Sequence, residues 1–161
     1  MSVLKKIVLV AMLGVMPVSA KWESFYARGA FSLVGNSVSG SFSCTPSFAV
    51  AGGYGNVIPN MLSHGLYVGM EVEGIRKNGS FYSHEAIVRF GFPRAQCMFW
   101  VGPKVGYHST AEIMMWGVRT GFDFDFILPG FFCGVAADWS VPFKEGAGSW
   151  IQCDFSFGYR F

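Results

Sequence analysis

In Trp150–Phe161 apolar and polar positions alternate to the end of the sequence. The odd positions are Ile151, Cys153, Phe155, Phe157, Tyr159 and Phe161; the even ones are Gln152, Asp154, Ser156, Gly158 and Arg160. A period of two places one set on each face of an extended strand. The same period runs back through the chain. In 131–141 the apolar face is Phe131, Cys133, Val135, Ala137, Trp139 and Val141. In 114–126 it is Met114, Trp116, Val118, Thr120, Phe122, Phe124 and Phe126. Five earlier segments, 22–34, 47–56, 65–76, 84–92 and 97–108, repeat it, as in Leu66, Val68, Met70 and Val72 against Tyr67, Gly69, Glu71 and Glu73. The pattern predicts eight strands, each about the 9–11 residues that a tilted strand needs to cross a bilayer.

Turn residues separate the segments. If the first strand starts at the periplasmic side, turns on that side fall at 57–63, 93–95 and 128–130, and the outer loops at roughly 35–46, 77–83, 109–113 and 142–148. Two residues fit less easily. Pro103 falls mid-strand on the outward face, where it removes a ladder hydrogen bond. Trp100 falls on the inward face, where space is tight; a β-bulge there would resolve both, but the sequence shows none. No internal repeat or linker interrupts the series, so 21–161 is read as one domain.

The first twenty residues are different. Lys5 and Lys6 precede the apolar run from Ile7 to Met16, and Val18, Ser19 and Ala20 are small or short residues before Lys21. This is the pattern of a secretory signal peptide spanning 1–20, cleaved between Ala20 and Lys21, and it is too short for a spanning helix. Removing it leaves ten basic and ten acidic side chains. No later stretch is long and apolar enough to be a membrane helix.

Alternation alone fits two architectures: a soluble barrel or sandwich with its apolar face inside, or a transmembrane barrel with that face outside. The content of each face decides between them. Charged residues form 14% of the chain and aromatic residues 17%, against a usual charged share of about 25%. The apolar face is crowded with Phe, Trp and Tyr, too bulky for the lumen of an eight-stranded barrel, which side chains just fill. The other face carries Gly, Ala and Ser with charges of both signs. Those charges are Arg28, Arg89, Lys104, Arg119 and Arg160 against Glu71, Glu73, Glu85, Asp123, Asp125, Asp138 and Asp154. Mutual pairing is what a low-dielectric lumen demands of them. The expected fold is therefore all-β: an eight-stranded antiparallel up-and-down transmembrane β-barrel, with aromatic girdles at both rims. A charge at Val118 or Val135 is expected to destabilise it, and Ser at Gly134 to cost less.

The signal peptide, the eight segments and the ending Phe157-Gly158-Tyr159-Arg160-Phe161 resemble small outer-membrane β-barrels of Gram-negative bacteria, the opacity-type and OmpX/OmpA-like porin-family surface proteins. The start Ser24-Phe25-Tyr26-Ala27-Arg28-Gly29 resembles their first strand. The resemblance implies an outer-membrane location, and contact with outer-membrane lipid. It also implies that Phe157, Tyr159 and Phe161 are the recognition signal for the barrel-assembly machinery. Outer loops in such proteins can meet host or extracellular ligands. The four cysteines depart from the family pattern.

Cys97, Cys133 and Cys153 share the outward parity. Cys97 and Cys133 lie on strands separated by a third, about 10 Å apart, beyond disulfide reach. Free thiols acting as small hydrophobes are expected there; Cys44 falls in the first outer loop and could pair between chains. No cysteine spacing matches a zinc site, and no cofactor or nucleic-acid motif is present. Chemistry could be sought at His108, with Ser109 or Thr110 and Glu112, near the outer rim. The expected function is a non-catalytic envelope protein acting as a surface antigen, in adhesion or in envelope integrity. The alternatives are a lipid-modifying enzyme of the lipid A deacylase or acyltransferase type, and a narrow solute pore.

Overall fold

The computed structural model describes residues 24–161 apart from 39–40, 60, 62–64, 78–79, 95, 110, 126–127 and 145–147, and describes side chains outside 36–44 and 77–82. The expected signal segment, with Ala20 and Lys21, lies outside the described residues, as do the side chains of Cys44 and Phe126. Eight strands follow one another: β1 (Ser24–Val38), β2 (Ser41–Ile58), β3 (Leu66–Lys77), β4 (Ser80–Arg94), β5 (Cys97–His108), β6 (Ile113–Asp125), β7 (Phe131–Pro142) and β8 (Ser149–Arg160). Each pairs antiparallel with its sequence neighbours, and β8 pairs with β1 to close the barrel.

The register fixes the shape of the cylinder. The row that leaves β1 at Tyr26 runs through Gly53, Glu71, Ile87, Lys104, Gly117, Ser140 and Trp150. It returns to β1 at Asn36, ten residues further along. A stagger of that size goes with strands tilted by about 40°. It leaves an interior just wide enough for side chains to fill.

β3 and β5 to β8 lie within one residue of their expected bounds, whereas β1, β2 and β4 run longer. The strands run into the expected loops at 35–46 and 77–83, with pairing reaching Val38↔Ser41 and Lys77↔Ser80. Beyond the apolar belt a ladder needs only backbone partners, so polar residues such as Ser41 and Ser43 carry it on without alternation. At the opposite rim, Leu128-Pro129-Gly130-Phe131 makes a tight turn. Phe131 N–H donates to the Leu128 carbonyl at 3.1 Å, and Gly130 has φ 83°. Those are the marks of a type II turn, with Pro and Gly in their preferred places.

Pro103 does face outward and Trp100 inward, but no bulge accommodates them. The β4–β5 register is the same on both sides of the interruption opposite Val88 and Arg89. Gly102 lets the strands close up there, since a Cβ on it would stand 1.8 Å from the Val88 carbonyl oxygen. The Trp100 ring finds room because its neighbours in the row are Gly91 on β4 and Gly121 on β6. The register shift in the described pairings lies elsewhere, between Ile75 and Arg76.

Candidate functional site

The distribution of side chains is inside out. Outward positions carry exposed Phe25, Phe48, Met70, Val72, Val118, Phe122, Val135, Trp139, Phe155 and Phe161, the last at 77%. Inward positions carry the charges. Aromatic rings meet along the rim that bears the barrel's ends, as Phe92–Phe99–Phe122, Phe131–Tyr159–Phe161 and Phe25–Tyr54. Toward the other rim Trp116 packs on Trp139 and Phe31 on Phe48. Cys97 and Cys133 flank Phe124 in one row and, like Cys153, are free thiols.

Inside, ten of the twelve expected lumen charges are buried; Asp125 and Arg160, half-buried, pair with each other toward the end-bearing rim. Most of the others join in one chain of contacts. Arg89 on β4 donates to Asp123 at 2.5 Å and to Glu71 at 3.2 Å. Arg28 on β1 grips Glu71 with Nη2 at 2.7 Å and Nε at 3.1 Å, and reaches Glu73 at 2.7 Å. Arg119 on β6 donates to Glu73 at 2.8 Å and to Asp154. Above this chain, Lys104 bridges Glu85 at 2.7 Å and Asp138 at 2.9 Å. The planar, multi-donor guanidinium suits such dry multidentate pairing better than an ammonium.

Parity in the sequence turns several further residues inward without assigning them a part in this interior. The Tyr26 hydroxyl accepts from Arg89 at 2.8 Å and donates to Glu71 at 2.7 Å. The Gln152 amide donates to Glu73 and Asp154 at 3.2 and 2.9 Å. Tyr67, Met98, Trp100 and Phe132 are fully buried below the ionic layer. These large side chains fit because the wall has glycine hollows. Cβ atoms on Gly55 and Gly158 would fall 2.1 and 2.4 Å from the Tyr67 and Phe132 rings. Inward glycines interleaved with single inward aromatics were the available signal. Gly134 is such a hollow too: its Cβ would meet Asp123 Oδ1 at 2.7 Å.

Among the described residues, the ionic layer spans the lumen with paired side chains. The enclosed space between Lys104, Asp138, Ser140 and Gln152 is about 10 Å³, room for one water molecule. Among the described residues no three histidine, cysteine or carboxylate groups come together to hold a metal ion. His108 is buried, with its ring centroid 4.5 Å from that of Trp150. Its Nδ1 accepts from the Ala111 N–H at 3.2 Å. In the Ser–His–acid template the base instead has a protonated Nδ1 held by a carboxylate and a free lone pair on Nε2. Glu112 is exposed in the β5–β6 loop, and Thr110 lies outside the described residues.

No family model and no curated protein matches the chain. Among solved structures it is similar in fold to Neisserial surface protein A (NspA), with a TM-score of 0.56 and 13% identity over 85% of this chain and 97% of that one. The likeness is one of fold: both chains form the same kind of closed β-barrel.

Proposed function

We propose that this protein is a non-catalytic outer-membrane barrel that presents short hairpins at the cell surface and acts as a surface or envelope-integrity protein. One observation carries the reading: an exposed apolar wall of rings and aliphatics encloses a buried, mutually paired set of charges. Water would solvate the charges and repel the wall; hydrocarbon reverses both preferences. Twelve-residue strands such as β5, tilted in this way, rise about 30 Å, enough to cross a hydrocarbon core. The signal pattern at 1–20 and the terminal Phe157, Tyr159 and Phe161 fit export followed by delivery to the barrel-assembly machinery. The name of the fold neighbour, a surface protein, agrees with this address.

The pore reading has no support in a lumen that holds about one water in its upper half. The enzyme reading has none in a histidine whose Nδ1 serves as an acceptor. Membrane fractionation with unheated gel migration tests the main proposal. Recovery in the outer-membrane fraction, with a folded form that shifts on boiling, is expected. Recovery in the soluble fraction after osmotic shock would refute it. Unchanged lipid A species with and without the protein, and with His108→Ala, are expected for a non-enzyme.

A further inference from the structure

The outer wall is not uniform. Across β3 to β6 the outward row Val72, Ala86, Val105, Trp116 lies beneath the row Gly74, His84, Tyr107, Met114. Gly74 and Ala86 are small, and the side chains around them are large. The result is an open groove of about 440 Å³ near the hairpin rim, walled by Val72, Val105, Tyr107 and Met114. That is within the size of ordinary ligand pockets, which are apolar with a few placed polar groups. Here the polar groups gather at the rim end. His84 lines the groove, and Arg76 stands two residues beyond Gly74 on the same exposed face of β3. The register shift between Ile75 and Arg76 falls at this point; bulges at barrel rims commonly re-aim a side chain. The carboxylates behind the wall, Glu73 and Glu85, point inward and are engaged by Arg28, Arg119 and Lys104.

We propose that this groove binds one acyl chain of a phosphate-bearing outer-leaflet lipid, with the phosphate at Arg76 and His84. The inference rests on the membrane reading above. Arg is suited to a phosphate because its fork meets two oxygens at once. The position also suits it: a cation at the edge of the apolar belt reaches headgroup level, while the hollow continues beneath it toward the membrane centre. A chain lying over Gly74 and Ala86 would fill a gap in the belt that the protein's own side chains leave.

The test uses the whole barrel folded in zwitterionic detergent micelles and followed by native mass spectrometry. The probes are dodecyl phosphate, dodecanol and inorganic phosphate. Dodecyl phosphate is expected to bind one to one, dodecanol more weakly, and inorganic phosphate not measurably. Arg76→Ala should weaken dodecyl phosphate by about tenfold or more and leave dodecanol unchanged. Ala86→Phe, or Val105→Trp if the first does not fold, should remove the binding of both. Arg94→Ala, an exposed cation at the opposite rim, and Ala137→Phe on the outward face of β7 should change nothing. Equal binding of dodecanol and dodecyl phosphate would overturn the headgroup site, as would tight binding of inorganic phosphate alone. Indifference to both groove-filling variants would overturn the groove. Wild-type protein that inserts into membranes yet binds no chain sinks this inference alone; wild-type protein in the soluble fraction sinks the membrane reading first.

Discussion

The Arg89 guanidinium lies 3.8 Å from the centroid of the Trp100 ring, and the Trp100 Nε1–H donates at 3.2 Å to Asp123, the carboxylate that Arg89 itself engages. Ring, cation and anion form one unit in which each holds the others in place. The indole satisfies the second oxygen of Asp123, and the guanidinium covers its face. The unit also ties the aromatic floor of the lumen to its ionic middle, because Arg89 continues to Glu71 and Tyr26.

Removing the cation should therefore be severe. Arg89→Ala leaves Asp123 buried without its closest cation and takes one of two from Glu71. A loss of about 3–5 kcal/mol is expected, the usual consequence of orphaning a buried charge. The double variant Arg89→Met with Asp123→Leu should lose less than Arg89→Ala, since it removes the charge that would be stranded. Denaturant unfolding in detergent micelles of the two variants checks this; a loss in the double variant as large as that of Arg89→Ala would refute the coupling.

The two faces should respond oppositely to the same kind of change. Val118→Arg or Val135→Arg places a charge mid-belt on the exposed wall and is expected to cost about 2–4 kcal/mol. Folding into lipid vesicles in increasing urea measures it. A loss near zero would mean that the wall meets water.

Among glycines, side matters as much as residue type. Gly29 faces outward with nothing within 4 Å of an added Cβ, whereas Gly134 faces Asp123 and Ser156 at 2.7 and 3.0 Å. Gly29→Ala should be close to neutral. Gly134→Ala should lose about 1–3 kcal/mol through overpacking, since the Asp123 oxygen in its way is already held by Trp100. Equal unfolding midpoints for the two variants would show that the lumen is looser than described.

These contrasts also show what could be read in advance. The strands were legible wherever one face meets the belt, because only there does the pattern have a period. Their extensions above it were not, although Ser39-Gly40 and Asn78-Gly79 are turn signals that favour short hairpins. Parity also identified the lumen charges, but not their partners. Arg119 stands opposite Asp138 in the β6–β7 register, yet its Nε lies 4.0 Å from Asp138, while its Nη atoms reach Glu73 across the lumen and Asp154 on β8. Glu73 and Glu85 sit directly opposite each other as like charges, an arrangement that only cations on other strands make tolerable. Such contacts depend on the ten-residue stagger, which no local pattern encodes.

The last prediction separates assembly from stability. Phe161 is highly exposed, but its backbone N–H donates to the Phe25 carbonyl at 2.9 Å, closing β8 onto β1. Phe161→Ser keeps that bond and removes only a ring at the rim that touches Tyr159. Purified Phe161→Ser protein should therefore refold in detergent with an unfolding midpoint close to wild type. If Phe161 belongs to the proposed assembly signal, the variant should reach the outer membrane poorly in cells. The readout is the fraction of heat-modifiable protein in the membrane of each strain, set against the in vitro midpoint. Normal cellular assembly would show that Phe161 is not part of the signal, whereas a large in vitro loss would make the ring a structural element instead.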